Sequence, residues 1–268
     1  MFDISEFPGL TLQSVPLYLL MLLLCTLRVG SFLVASPFFG SRMVPLQVRI
    51  VFSFALGVWI LSNIQLPPTE ILFGKKLIPI VFQELFIGLA CGLALSICFA
   101  TVVMAGEKIA ATSGLAFASS VDPASGAQSP VISQLFSMFL LILFFSLSGH
   151  LLIFELILRS YERIPIGAVI NYFEMLEIGL SSGGFVFEKA IIIVIPIISI
   201  LLFINLAIGF ITKTAPQLNL FSFGFPMTIM GSFFVVYFSI DALQFAFSSL
   251  LDESIGIVRY LLRGSDDG

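Results

Sequence analysis

Six apolar segments constrain this sequence more than any other feature. Each reaches or exceeds the roughly 20 residues that an α-helix needs to cross the hydrocarbon core of a membrane. The segments do not alternate with a period of two residues, as half-buried strands would, and helices satisfy their own backbone hydrogen bonds, which lipid demands. The sequence therefore predicts an all-α membrane protein. The predicted segments are 15–39, 46–66, 77–105, 131–158, 185–211 and 225–251.

Composition and charge support this class. Hydrophobic residues make up 59% of the chain and charged residues only 10%, whereas charged residues make up about 25% of soluble domains. The net charge of -4 gives a nucleic acid nothing to bind. Because no charge-rich linker divides the chain, we expect one membrane-embedded domain over 1–268, with short polar tails at about 1–12 and 256–268.

The sequence lacks the patterns of catalytic and metal-binding sites. Cys25, Cys91 and Cys98 lie within apolar runs and form no CxxC pair. His150 is the single histidine, and neither HExxH nor GxSxG occurs. The acidic residues are spread over different segments without motif spacing. We therefore expect no enzyme, no cofactor and no metal site.

Charged side chains interrupt the apolar segments. A charge at the centre of a spanning helix costs about 2.5–3.5 kcal/mol on insertion scales, so several of them indicate surfaces that are buried against protein or water. Glu155 and Arg159 are spaced four residues apart, and mutual neutralisation on one helix face is the simpler interpretation for them. The residues assigned to buried charge or assembly are Arg28, Glu84, Glu155, Arg159 and Asp241.

An autonomous transporter of small solutes or ions is the alternative that these charges leave open. Pro196 predicts a kink or a break in the fifth segment, and freed carbonyl groups at a break need partners. Arg28, Asp241 and such a break would together form a site at the membrane midplane. Internal repeats would support this alternative, and we find no convincing repeat in the sequence.

The segment GLAFASSVDPASGAQSP, residues 114–130, is small, flexible and nearly uncharged. Asp122 is the only side chain between Ile109 and Phe154 that is charged at neutral pH. Surface loops usually carry more charge, so this composition needs an explanation. One explanation is a mere interhelical linker built from turn residues.

An ordered series of motifs gives the sequence a resemblance to a known family. Arg28 precedes the run PFFG at residues 37–40, and "MAGEKIAATSGLAFASSVDP" follows the third segment. RSYERIP occupies residues 159–165, and APQLNLFSFGFP occupies 215–226. From about residue 15 to residue 250 the series closely resembles the FliR family of flagellar export-gate proteins and its injectisome counterparts, the SctT family. GFP at 224–226 favours the flagellar branch, while Lys213 stands where the family pattern has arginine.

The resemblance implies a role without catalysis. Family members assemble with FliP and FliQ into the core of an export gate in the bacterial inner membrane, at the flagellar basal body or the injectisome base. Unfolded export substrates pass through the channel of this core, and FlhB wraps its cytoplasmic side. Family helices are bent hairpins, and much of the core stands outside the bilayer plane, so the charged residues need not face lipid.

By the same resemblance, the neutral segment is expected to be the plug that closes the channel, with Met104 as a candidate for the constriction. Small residues fit a narrow bore, and apolar ones exclude water from it. The expected plug residues are Gly114, Leu115, Phe117, Val121, Asp122, Pro123 and Gly126. A structural joint is predicted between the last two apolar segments, at Pro216, Gln217, Asn219, Gly224 and Pro226.

Overall fold

The structure, a computed structural model, describes residues 15–41, 44–63, 77–115, 130–215, 217 and 223–263. Within these ranges the chain forms eight α-helices and no strand, which confirms the all-α class. The helices are α1 Val15–Ala35, α2 Leu46–Asn63, α3 Leu77–Thr112, α4 Val131–Ser146, α5 Gly149–Arg163, α6 Tyr172–Thr214, α7 Phe225–Phe238 and α8 Ile240–Leu261.

Within the described residues each predicted apolar segment is mostly helical, but the bounds differ. The helices α1, α2, α3 and α6 are long and apolar enough to cross a membrane, and the bent pairs α4–α5 and α7–α8 raise the number to six. Helix α3 continues to Thr112 and α6 begins at Tyr172, beyond the apolar stretches. Hydropathy detects only the apolar part of a helix, and polar turns such as the one with Glu107 and Lys108 extend it.

Two of the apolar segments are bent sharply. The axes of α4 and α5 differ by 65°, and those of α7 and α8 by 66°. At the first bend Ser148 has a φ of 56°, the left-handed region that ends a helix. Gly149 follows it, and the ring of Phe144 lies 2.6 Å from where a Cβ would stand at that position. Glycine is therefore the residue that fits the turn.

Pro196 does not break its helix. Helix α6 runs without interruption for 43 residues and contains Pro196 in its interior. Of the predicted kink or break, the break is wrong: the ring lies on the exposed face of a long helix whose flanking turns remain intact. The kink stays a prediction. The breaks occur instead at 147–148 and at Ser239.

The chain divides into two compact units. Unit 1 comprises Met1–Ser96, Leu151–Gly179 and Gly256–Gly268, and unit 2 comprises Ile97–His150 and Leu180–Ile255. The prediction of a single domain is not tested by this division. The predicted polar tail from residue 256 is too long, because α8 continues to Leu261 and its Val258 is buried.

In unit 1, α1 packs along α2 and the first half of α3. Gly88 and Gly92 allow the close approach of α3, since a Cβ at Gly88 would collide with Ser31 and the Arg28 carbonyl. Ser96, one turn further along, donates to the carbonyl oxygen of Ala35 at 2.6 Å. The spacing of four residues puts these small side chains on one face of α3.

Unit 2 is built from the second half of α3, α4, most of α6, α7 and most of α8. The ring of Phe247 from α8 packs against Phe136 and Phe139 from α4, with centroids 5.5 and 5.7 Å apart. Lys189 of α6 and Glu253 of α8 form an ion pair at 2.8 Å. These contacts hold α4 and α6 against α8.

Candidate functional site

The interior of unit 1 contains an ion pair. Arg28 of α1 donates from Nε to Glu84 Oε2 at 2.7 Å and from Nη2 to Glu84 Oε1 at 2.9 Å. This is the bidentate geometry in which a planar guanidinium binds a carboxylate most strongly. The side chains are 1% and 0% exposed, respectively. The two charges that the sequence analysis assigned to separate buried positions therefore neutralise each other.

Helix α5 supplies the remaining partners of Arg28. Its Nη1 donates to Ser160 Oγ at 2.8 Å, and its Nη2 also donates to the carbonyl oxygen of Ile164 at 3.0 Å. The guanidinium carbon lies 4.1 Å from the ring centroid of Tyr161, whose hydroxyl donates to the Cys25 carbonyl at 2.7 Å. We call Arg28, Glu84, Ser160 and Tyr161 the ionic cluster.

The ionic cluster also caps a helix. Ile164 lies directly after the last residue of α5, where carbonyl groups lack donors from the helix itself. A cation at a helix C-terminus is stabilised by the partial negative charge of those carbonyls. Arg28 thereby fixes the end of α5 on α1 and α3. Four of the five N–H donors of a guanidinium are engaged in this arrangement.

Sequence analysis missed Ser160 and Tyr161. The spacing of apolar residues along α5 could have identified them. Ile157, Tyr161 and Ile164 recur every three to four residues and are buried. Ser160 lies beside this apolar stripe and is also buried. The charged residues of the same helix occupy its opposite face. A helical projection of RSYERIP therefore separates the inward hydroxyls from the outward charges.

Three of the charges assigned to buried positions are exposed in the chain. Arg159 and Glu155 form an ion pair at 2.8 Å, as the simpler interpretation predicts, and they are 62% and 51% exposed in the single chain. Their i,i+4 spacing places them on the outer face of α5. Asp241 is exposed in the first turn of α8, where a carboxylate is stabilised by the helix N-terminus. Their role in assembly stays a prediction.

The neutral segment starts from a helix end that two side chains of unit 2 hold in place. Asn205 of α6 donates from Nδ2 to the carbonyl oxygen of Thr112 at 3.1 Å. Thr228 of α7 donates from its hydroxyl to the carbonyl oxygen of Ser113 at 2.9 Å. We call Asn205 and Thr228 the neutral cap of α3. Sequence analysis did not identify either residue as part of a site.

Gly114 turns the chain away from α3. Its φ of 81° is the left-handed conformation that glycine adopts at helix ends. A Cβ at this position would lie 2.7 Å from Cδ1 of the Phe225 ring. Gly114 and Leu115 are both partly buried. The other expected plug residues, Phe117, Val121, Asp122, Pro123 and Gly126, lie outside the described residues.

The far end of the neutral segment is also fixed in unit 2. Helix α4 begins at Val131 after an extended Pro130. In its first turn Ser133 packs so closely on Gly106 of α3 that a Cβ at Gly106 would collide with the Ser133 backbone. Glycine at 106 is therefore what allows α4 to start against α3. Gly114 and Pro130, on either side of the undescribed residues, therefore lie at the ends of two helices that pack together.

Met104 lines a cavity of about 230 Å³ in unit 2. Most of the lining is apolar and belongs to one face of α6. The lining residues are Met104, Lys108, Ala190, Ile191, Val194, Ile195, Ile198 and Ser199. Met104 is half-buried here, which suits a deformable side chain that fills an irregular gap. Its role at a channel constriction stays a prediction.

The predicted joint lies between two helices. Helix α6 ends at Thr214 and α7 begins at Phe225, with Gly224 as its N-cap residue and proline in its first turn. Pro226 thus occupies a position where its missing N–H is not needed. Gln217 is exposed. Pro216 and Asn219 lie outside the described residues.

The described residues contain no group of three or more His, Cys, Asp or Glu side chains arranged to hold a metal ion. Cys25, Cys91 and Cys98 are free and buried. Cys98 donates weakly from Sγ to the Leu250 carbonyl at 3.9 Å. These thiols serve as small apolar side chains within the helix packing.

Comparison with known proteins gives a consistent result. The family model "Bacterial export proteins, family 1" matches residues 19–254. The chain is 33% identical over 205 residues to the flagellar biosynthetic protein FliR of Escherichia coli (strain K12). The aligned region covers 76% of this chain and 77% of that protein. It is 30% identical to FliR of Bacillus subtilis (strain 168), over 90% of this chain and 93% of that protein. It is 27% identical to FliR of Aquifex aeolicus (strain VF5), over 92% of this chain and 95% of that protein.

Proposed function

The chain belongs to the FliR family of bacterial export proteins, flagellar branch, and from this membership we propose that it is a non-enzymatic subunit of the flagellar export gate. It is a component of the flagellar export apparatus, and its apolar helices fit an inner-membrane protein. In the proposed role it forms part of a channel for unfolded export substrates. We propose that it is located at the flagellar basal body.

Residues 114–130 are the proposed plug of this channel. The observation that carries this proposal is the fixed start of the segment, since α3 ends at carbonyls bound by Asn205 and Thr228. A closing segment needs ends that stay in place while its middle is displaced by cargo. Its small, neutral side chains fill a bore without binding charged cargo tightly, and Phe117 and Val121 would exclude water.

The proposed partners are FliP-, FliQ- and FlhB-like subunits. Support comes from the apolar outer face of α6 on which Phe203 and Phe210 are exposed in the single chain. Large exposed apolar patches are covered by lipid or by other protein. We propose that neighbouring gate subunits cover part of this face and that membrane lipid covers the rest.

The ionic cluster does not favour an autonomous transporter. A solute site would need charges that are free to bind the solute, whereas Arg28 is paired with Glu84 and buried. Asp241 belongs to unit 2 and is exposed, and Pro196 lies in an unbroken helix. The paired Arg28 and the unbroken helix at Pro196 therefore give this alternative no support.

Deleting residues 117–127 tests the proposed function. We expect ion leak across the inner membrane when the deleted chain is produced together with FliP- and FliQ-like partners, and no leak without them. A matched control replaces Phe117 and Val121 by serine at unchanged loop length, which removes the apolar seal and keeps the connection. An intact complex without leak would reduce the segment to a linker. Leak from the deleted chain alone would support an autonomous channel.

A further inference from the structure

The cavity beside Met104 is an apolar groove with one charged group. It lies in unit 2, between the second half of α3 and the middle of α6, and has a volume of about 230 Å³. Its floor consists of Ala190 and Val194, which are 1% and 4% exposed. Lys108 is the one charged side chain among the lining residues. We call this cavity the Lys108 groove.

Lys108 has no carboxylate partner in the described part of the chain. None of the ion pairs among the described residues includes it, and its side chain is exposed. Glu107 precedes it directly and therefore lies on a different side of α3. The residues three and four positions away on α3 carry no charge. Along α6 the nearest preceding carboxylate is that of Glu188, roughly 16 Å before Ser199.

The level of Lys108 along α6 makes an unpaired cation costly. Asn205 binds the Thr112 carbonyl, and Lys108 lines the groove together with Ser199, so this part of α3 runs alongside the middle of α6. Residues 190–212 of α6 carry no charge, and Ser199 lies about 14 Å from the nearer end of this run. The four-carbon stem of a lysine is too short to carry its ammonium over that distance. Lipid is therefore an unfavourable neighbour for Lys108.

We propose that the Lys108 groove binds an apolar helix of a neighbouring gate subunit, which places one carboxylate against the Lys108 ammonium. This inference rests on the proposed function and adds to it a contact surface with a defined chemistry. An acyl chain would fill the apolar part and leave the cation unpaired, because the phosphate of a lipid lies at the membrane surface. A helix with a single Asp or Glu satisfies both parts.

The volume of the groove agrees with such an occupant. An apolar cavity of about 150 Å³ accommodates a benzene molecule, so the Lys108 groove has room for a large side chain of the bound helix. Ser199 needs no partner from that helix, because its hydroxyl donates to the Ile195 carbonyl at 2.8 Å. Lys108 is thus the group on which the polar contact depends.

Recovery of the assembled gate tests the contact. The full chain is produced with its FliP-, FliQ- and FlhB-like partners and purified through a tag on this chain. We expect recovery of the partners to fall roughly tenfold for Lys108→Gln, because the partner carboxylate is left buried without its cation. Lys108→Glu should reduce it further, and Lys108→Arg should keep most of it. Ser199→Ala changes the same groove without changing its charge and should leave recovery unchanged.

The purified chain provides a readout that a merely structural role would change. Lys108 is exposed and without an ion pair in the described part of the single chain, so Lys108→Glu should leave its unfolding by sodium dodecyl sulfate unchanged. Destabilisation of the isolated chain in proportion to the lost recovery would assign the effect to folding and overturn the inference.

Cross-linking by a carbodiimide identifies the partner group. The reagent joins an amine to a carboxylate in contact with it, so the assembled gate should yield a link from Lys108 to an Asp or Glu in an apolar helix of another subunit. Lys108→Arg keeps the charge but lacks the amine, so this link should disappear from an intact complex. A link from Lys108 to Asp122 or another carboxylate of this chain would overturn the inference.

Two further outcomes separate this inference from the proposed function. Normal recovery of Lys108→Glu would overturn the inference and leave the proposed function standing. An anionic phospholipid that co-purifies with the complex and is lost in Lys108→Gln, at unchanged recovery of the subunits, would assign the groove to lipid and also overturn it. If the unchanged chain recovers no partner subunit, the proposed function itself is refuted, and the inference with it.

Discussion

Two helix ends in this molecule are capped by side chains from other helices, and the caps differ in chemistry. In unit 1 the charged Arg28 caps α5 and is bound in turn by Glu84. In unit 2 the amide of Asn205 and the hydroxyl of Thr228 cap α3. The first cap cannot be opened without stranding a buried charge, whereas opening the second leaves only neutral groups without their hydrogen bonds, which costs less.

The two caps therefore differ in how much free energy is needed to break them. A buried charge that loses its partner is strongly destabilising, so an ionic cap suits a helix that stays in place. A neutral cap contributes less and suits a helix end from which a segment is displaced. The position of the neutral cap at the start of residues 116–129 agrees with the proposed gating function.

The largest effect is expected from Arg28→Leu, which leaves the Glu84 carboxylate buried without its cation. We expect a loss of about 3–5 kcal/mol in the free energy of unfolding, measured by titrating the purified chain with sodium dodecyl sulfate. The double variant Arg28→Leu with Glu84→Leu should be less destabilised, because no charge remains unpaired. If Arg28→Leu lowers the free energy of unfolding only as much as the loss of an ordinary hydrogen bond does, the charged cap is no stronger than the neutral one.

Gly88→Ala tests the packing that brings Arg28 and Glu84 together. A Cβ at this position would collide with Ser31 and with the Arg28 carbonyl, so α3 must shift from α1. We expect a loss of about 1–3 kcal/mol in the same titration. Gly183→Ala is the matched control, because the space around that helical glycine is empty. There alanine should stabilise the helix by roughly 0.5–1 kcal/mol, and equal losses at both positions would contradict the packing.

Tyr161→Phe sharpens the comparison within the ionic cluster. The variant keeps the ring over Arg28 but removes the hydroxyl that donates to the Cys25 carbonyl at 2.7 Å. We expect a loss of about 1 kcal/mol, similar to that for a neutral hydrogen bond elsewhere. A loss approaching that of Arg28→Leu would mean that the hydroxyl, rather than the ion pair, stabilises the cluster.

The smallest effect is expected from Arg159→Gln. Arg159 also belongs to an ion pair, but its side chain and that of Glu155 are largely exposed. Water screens such a pair, and we expect a change below about 0.5 kcal/mol in unfolding. Normal stability with reduced recovery of the complex would assign this outer face of α5 to subunit contact. Large destabilisation of the isolated chain would show that the exposed ion pair stabilises the fold as much as the buried one does.

The same comparison shows where sequence reasoning succeeds. Arg28 and Glu84 stand out because charges are rare within apolar segments, and that rarity alone indicates burial. The sequence does not indicate which charges pair. Arg28 and Glu84 lie 56 residues apart, and Glu155 is an equally available partner in the sequence. The choice depends on how close α3 approaches α1, which Gly88 and Gly92 permit.

Thr228 shows where sequence reasoning has no signal. Hydroxyl and amide side chains occur in many apolar helices and bind their own backbone, as Ser232 does. Only the position of the α3 end shows that Thr228 reaches a second helix. The bends are a similar case, because Ser148, not a glycine, adopts a positive φ at an exposed turn, while the more conspicuous Pro196 remains helical.

The sequence by itself determined that this chain is helical, that its apolar helices fit a membrane protein, and that it belongs to the FliR family. These properties are read from local hydropathy, which acts on each segment separately, and from an ordered series of motifs. Only the tertiary structure decided that Arg28 pairs with Glu84 and that Asn205 and Thr228 bind the end of α3. Those outcomes depend on contacts between residues far apart in the chain, which no local pattern encodes.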